Sequence, residues 1–271
     1  MQPSTLFFLG ASLLTSGVFA INYEAKLVIG GVEHPATLTP GLLPQRQSVP
    51  DLHSNVTNNK RDGPISVTSN WAGAIQEAPT SGVFRTIAAE WQVPGVYPPP
   101  GKTLGSAAYW LYEWVGIGSD CGIILQAGTG QKSTSQDWNF AWFEWFPNAN
   151  MATNLPIAYR DFVTVTITAT STTSGTVVIE NETQGATFSI NLSNMSPALC
   201  LDNAEWVVEN PVSSTMPWGT FENVFFDSCK ATTSTGAVQG ITGTTAIHGA
   251  SSDGRTILSE YVDNTDFYVQ P

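Results

Sequence analysis

The sequence predicts an all-β protein, a single β-sandwich or barrel, on three observations. From Thr68 onward it runs in short stretches of Val, Ile, Thr, Trp, Tyr and Phe, broken by Gly, Pro, Ser and Asn, without a sustained 3.6-residue period. Charged residues make up only 12% of the chain, about half the usual quarter, so Ser, Thr, Asn, Gln and Gly must cover the surface. Apolar residues make up 42%, enough for a packed core. The clearest strand is Asp161 to Thr170, where Val163, Val165, Ile167 and Ala169 alternate with Phe162, Thr164, Thr166 and Thr168. Ser171 to Gly175 turns the chain into a strand at Thr176 to Glu180, and Asn181 to Gly185 turns it into another at Ala186 to Leu192, a meander. In Trp142-Phe143-Glu144-Trp145-Phe146-Pro147 the period of two sets Trp142, Glu144 and Phe146 on one face. In Ala204-Glu205-Trp206-Val207-Val208-Glu209 it sets Glu205, Val207 and Glu209 opposite Trp206 and Val208. Such a polar, aromatic-rich face suits a substrate cleft, and it equally suits an ordinary solvated sheet face.

The N-terminus adds processing signals. Residues 1–20 read as a secretory signal, with an apolar run from Leu6 to Leu14 and a Val18-Phe19-Ala20 cleavage site, although no Lys or Arg precedes the run. The run is too short for a membrane span and no later stretch is longer, which predicts a secreted, extracellular protein with no membrane partner. Residues 21–61 read as a polar, exposed pro-segment ending at Lys60-Arg61, and residues 62–271 as the mature domain. That domain has 6 Lys/Arg against 19 Asp/Glu, a net charge of −13, which excludes nucleic acid as a natural partner. Near pH 3 most of those carboxylates are neutral and few ion pairs exist to be lost, so the fold is expected to survive and work in acid.

Elimination narrows the chemistry. There is no Gly-x-Ser-x-Gly elbow, no His-Glu-x-x-His, and neither Asp-Thr-Gly nor Asp-Ser-Gly. The mature part retains a single histidine, His248, which argues against zinc hydrolysis, and no cofactor motif occurs. Cys121, Cys200 and Cys229 imply one disulfide and one odd thiol, and the sequons at Asn181, Asn191 and Asn194 suit a secreted surface. The catalytic groups left are carboxylates and amides.

Five segments, in order, resemble the fungal glutamic peptidases (eqolisins): Ser69-Asn70-Trp71-Ala72-Gly73-Ala74-Ile75, Trp114-Val115-Gly116-Ile117, Ile124-Leu125-Gln126-Ala127-Gly128, Trp142 to Pro147 and Ala204 to Glu209. The resemblance runs from about Thr68 to Cys229. It implies a concanavalin A-like sandwich of two antiparallel sheets and a secreted acid endopeptidase acting on polypeptides, with no metal or cofactor. It places a catalytic dyad at Gln126 and Glu209 and adds Trp71, Trp114, Trp142 and Glu144 as cleft-lining residues. It also pairs Cys121 with Cys200 and leaves Cys229 without its family partner. Nothing calls for more than a monomer.

Three departures from the family pattern bear on specificity and pH optimum. Gly118-Ser119 precede Asp120 where the family has an Asp directly after Trp-Val-Gly-Ile, Asn210-Pro211 follow Glu209 in place of an Asp, and Gly128-Thr129-Gly130 continue without one. Two rival readings remain: a jelly-roll glycosidase using Glu144 and Glu209, and a non-catalytic lectin-like module.

Overall fold

The computed structural model describes residues 22–44, 56–57, 63–104, 108–134 and 138–271. The signal at residues 1–20 and the Lys60-Arg61 boundary therefore lie outside the described residues. In chain order the strands are β1 (Asn22–Ile29), β2 (Val32–His34), β3 (Leu38–Pro40), β4 (Val56–Thr57), β5 (Pro64–Thr68), β6 (Trp71–Gln76), β7 (Phe84–Gln92), β8 (Val96–Tyr97), β9 (Tyr109–Ile117), β10 (Ile124–Ser133) and β11 (Trp138–Phe146). They continue as β12 (Met151–Thr153), β13 (Phe162–Ser171), β14 (Ser174–Asn181), β15 (Ala186–Ser193), β16 (Ala204–Glu209), β17 (Thr220–Phe221), β18 (Val224–Thr233), β19 (Val238–Gln239), β20 (Thr245–Ala250), β21 (Thr256–Tyr261) and β22 (Phe267–Gln270). No helix occurs among the described residues.

These strands form a two-layer sandwich. One layer runs β3-β12-β11-β10-β9-β16-β6-β20-β5-β4. The other runs β2-β1-β15-β14-β13-β7-β18. All of these pairings are antiparallel except β5 with β20. The layers are not separate, because β21 and β22 bridge β20 to β18 and make the sheet continuous at one corner.

The predicted meander is β13-β14-β15, and its alternation sorts the strands: Val163, Val165, Ile167 and Ala169 are fully buried. They pack across the inter-sheet core on Val115, Leu125, Trp145 and Trp206 from the first layer. Burying each of the valines and the isoleucine stabilises the fold by roughly 1.5–3 kcal/mol.

The expectation for residues 21–61 needs correction. Part of that stretch is not simply a polar, exposed segment: β1 zips along all eight residues of β15, Leu27 is buried in the core, and β3 pairs with β12. Asn22–Ile29 alternates like any other half-buried strand, and it completes an edge that would otherwise expose unpaired backbone groups.

Candidate active site

The five sequence segments that carried the resemblance come from positions up to 140 residues apart, yet they are adjacent strands of one layer, in the order β11-β10-β9-β16-β6. Their outward faces form three cross-strand rows. The first is Glu144, Gln126, Gly116, Glu205 and Ile75; the second is Trp142, Gly128, Trp114, Val207 and Gly73; the third is Phe140, Gly130, Tyr112, Glu209 and Trp71. Glycine is required where it occurs in the middle row, since a Cβ on Gly128 would lie 1.8 Å from the carbonyl oxygen of Glu113. The long side chains of Trp114 and Trp142 flank that bare position.

Gln126 and Glu209 therefore project from the same face, on either side of β9 and two rows apart, about 13 Å along the strand. Trp114 stands between them and donates its indole N–H to Glu209 Oε2 at 2.9 Å, with Trp71 against it edge to face at 5.0 Å. Gln126 donates its amide N–H to Glu144 Oε2, across the β10-β11 pair. Trp142 is pinned by an indole bond to the Thr129 carbonyl at 2.9 Å. Gln126, Glu144 and Glu209 are all nearly inaccessible, at 1%, 3% and 2% exposure. Burial, and then the charges of Glu209 and Glu144, push the Tyr112 hydroxyl well above the usual phenol range.

All six residues expected in the site, Gln126, Glu209, Trp71, Trp114, Trp142 and Glu144, thus share one face. Glu205 was not singled out as a site residue, although its spacing of four from Glu209 sets it on that face; it is fully buried beside Gly116. Tyr112 and Asn150 were also missed, and no local pattern marks either. Among the described residues no cluster of His, Cys, Asp and Glu could hold a metal. His248 lies on β20, where its Nδ1 accepts the Ser259 backbone N–H at 3.0 Å, a structural use of the ring.

Two of the three departures have local explanations. Gly118 has φ +88°, a left-handed conformation that an Asp adopts only with strain, and its N–H bonds the Asn203 carbonyl. Asn210 is a turn brace: its Oδ1 accepts from the Val212 N–H and its Nδ2 donates to the Met216 carbonyl. The expected disulfide is present, Cys121 to Cys200 with Cα atoms 6.2 Å apart, and ties the β9-β10 turn to the approach of β16. Cys229 is outside it and buried in the core.

Under this candidate face, on the inward side of the same strands, lies a buried polar group. The Glu113 carboxylate accepts bonds from Thr129 Oγ1 at 2.7 Å and Gln131 Nε2 at 2.9 Å, and Trp91 from the other layer donates to Thr129 Oγ1 at 2.8 Å. Burial pushes Glu113 up to about 8 against the pull of those bonds.

Residues 69–270 match the model of the Peptidase A4 family. The chain belongs to that family. It is 32% identical over 188 residues to aspergillopepsin-2 of Aspergillus niger, covering 61% of this chain and 64% of that protein. It is 33% identical over 147 residues to scytalidopepsin B of Scytalidium lignicola, covering 54% and 53%. The chain thus spans less than two thirds of either curated relative. Among solved structures it resembles scytalido-glutamic peptidase bound to a transition state analog inhibitor, with TM-score 0.61, 29% identity, and coverage of 74% of this chain and 98% of that one. It also resembles aspergilloglutamic peptidase from Aspergillus niger, with TM-score 0.54, 30% identity, and coverage of 60% and 98%. As a Peptidase A4 member the chain shares their all-β sandwich.

Proposed function

We propose that this chain is a secreted acid endopeptidase, in which Glu209 activates water and Gln126 stabilises the oxyanion. Glu209 would remove a proton as the water oxygen attacks the scissile carbonyl, then return it to the departing amine nitrogen as the C–N bond breaks. The Gln126 amide would donate to the developing oxyanion, a role worth roughly 3–4 kcal/mol in comparable sites. A neutral amide suits acid better than a second carboxylate, because it does not compete for the proton. Trp114 would orient Glu209 through its indole bond, and Glu144 would orient Gln126. Trp71 and Trp142 would wall the substrate groove. The proposal extends to export through residues 1–20, synthesis as a precursor cut after Arg61, polypeptide substrates and a monomeric enzyme.

The observation that carries the reading is that the Gln and the Glu of the family pattern share one buried face around Trp114. Digestion of a denatured casein-like protein at pH 3–4 tests it, with the expressed and processed wild type, Gln126→Ala and Glu209→Ala side by side. Each variant should keep the wild-type circular dichroism and lose at least about 100-fold in rate. A folded wild type that cuts nothing, or variants that cut as well as it does, would refute the proposal. N-terminal sequencing of the secreted product should begin at Asp62.

A further inference from the structure

The aromatic end of the face just described is occupied in this chain by part of its own N-terminal segment. β3 pairs with β12 in the register Met151 with Pro40 and Thr153 with Leu38, and the Gly41 N–H continues the ladder onto the Asn150 carbonyl at 3.0 Å. The chain then enters the aromatic cluster of the outer face. Leu43 is 4% exposed and belongs to the same buried cluster as Trp110, Tyr112, Trp142 and Phe146. Its main chain is held as well: the Asn150 side-chain amide donates to the Leu43 carbonyl at 3.2 Å and the Pro44 carbonyl at 3.3 Å, and the Tyr112 hydroxyl donates to the Pro44 carbonyl at 3.2 Å. Tyr112 sits directly opposite Glu209 across the β9-β16 pair, so these contacts lie beside one half of the proposed dyad.

An extended chain with a buried aliphatic side chain and main-chain carbonyls held by side-chain donors is how a groove recognises a peptide. Pro40 and Pro44 restrict φ in the docked stretch, which lowers the ordering cost of holding it there. β1, paired along β15, tethers the segment and raises its local concentration at the groove.

We infer that the pocket formed by Tyr112, Trp110 and Trp142 is a subsite for a leucine-sized aliphatic residue of the substrate. Tyr112 and Asn150 are its positioning residues, gripping substrate carbonyls, and Leu43-Pro44 fills the place of substrate while residues 22–44 remain attached. This rests on the peptidase reading above for the identity of the ligand as a polypeptide.

The test uses the full chain carrying Lys60→Ala and Arg61→Ala, so that the segment stays attached, and Glu209→Gln, so that nothing is cut. The probes are two dansyl-labelled hexapeptides, identical except for Leu or Asp at the central position, titrated at pH 4 by fluorescence anisotropy. Adding Leu43→Asp should tighten binding of the leucine peptide by about 10- to 100-fold, the range expected for releasing a buried leucine. The aspartate peptide should not gain. In the Leu43→Asp background, Tyr112→Phe and Asn150→Ala should each weaken the leucine peptide by roughly 5- to 10-fold. With Glu209 intact, these two changes should raise KM and leave kcat unchanged. Leu43→Ala, checked by near-UV circular dichroism, replaces Leu43→Asp if the charge prevents folding. Equal affinity with and without Leu43, no preference for leucine over aspartate, or no binding by any chain would overturn the inference. Because the readout is binding by an inactive variant, turnover without leucine preference sinks the subsite and spares the peptidase, and leucine-selective binding without turnover does the reverse.

Discussion

Replacing Glu113 with glutamine should remove most of the extra stability in acid, relative to neutral pH, that the buried Glu113 carboxyl lends the fold. Glu113 is fully buried between the layers, and its carboxyl is raised from 4.5 to about 8 by desolvation. Between those values the folded protein keeps a proton that the unfolded chain has released, so stability is full below about pH 4.5 and falls as pH rises toward 8. A displacement of about 3.5 pH units at 1.36 kcal/mol each corresponds to about 5 kcal/mol, a third or more of a typical domain's total. Glutamine preserves the shape and the acceptor for Thr129 and Gln131 and cannot ionise. Urea unfolding of wild type and Glu113→Gln at pH 4, 5.5, 7 and 8.5 measures the effect. The two should be of similar stability at pH 4, with the wild type losing roughly 3–5 kcal/mol more than the variant by pH 8.5. Burial also raises Glu90 and Asp227, in the same direction, but they are half-buried and exposed respectively and are common to both proteins, so the difference isolates Glu113. Parallel stability curves across this range would refute the argument.

Gly116→Ala should cost about 1–3 kcal/mol in urea unfolding and slow turnover, because its Cβ would sit 2.9 Å from Trp114, 3.0 Å from Ile124 and 3.2 Å from the Glu205 carboxylate. A variant with wild-type stability would show that the row between Gln126 and Glu205 has slack. Paired Cys121→Ser and Cys200→Ser changes should destabilise by about 4.5 kcal/mol on the chain-entropy model for residues 79 apart, read as a lower urea midpoint. Asn210→Asp, which restores the family residue, removes the donor to the Met216 carbonyl and should cost roughly 1–3 kcal/mol at neutral pH; a stabilised variant would contradict the turn-brace role.

Much of this was legible because a period of two is a strong signal in strands. The faces of β13, β11 and β16 are as the alternation requires, including Glu144 with Trp142 and Glu209 with Glu205. The wet face was not legible. Gln126, Glu144 and Glu209 alternate like residues of a solvated sheet, yet each is almost fully buried. Alternation reports which residues share a side, and only tertiary packing decides whether that side meets water. The same limit hid Leu43, which lies between prolines in a stretch with no period, and Asn150, whose partners are more than 100 residues away. Glu113 lies in an otherwise apolar run, and its partners Thr129 and Gln131 come from the neighbouring strand β10, with Trp91 of the opposite layer bonding Thr129 in turn.

On the proposed dyad, the adjacency of the five motif strands also makes completion of the site a late event in folding. Gln126 and Glu144 face each other within one hairpin and can meet as soon as that hairpin closes, whereas Glu209 reaches its Trp114 partner across 95 residues of chain. Pairings of such long range are slow, because the loop between them must be ordered before any contact rewards it. A chain that has collapsed but not yet inserted β16 would hold Gln126 and lack the proposed base, Glu209. Recovery of activity during refolding should therefore trail the recovery of β-sheet signal, and on this reading a half-made molecule would be harmless to the proteins around it.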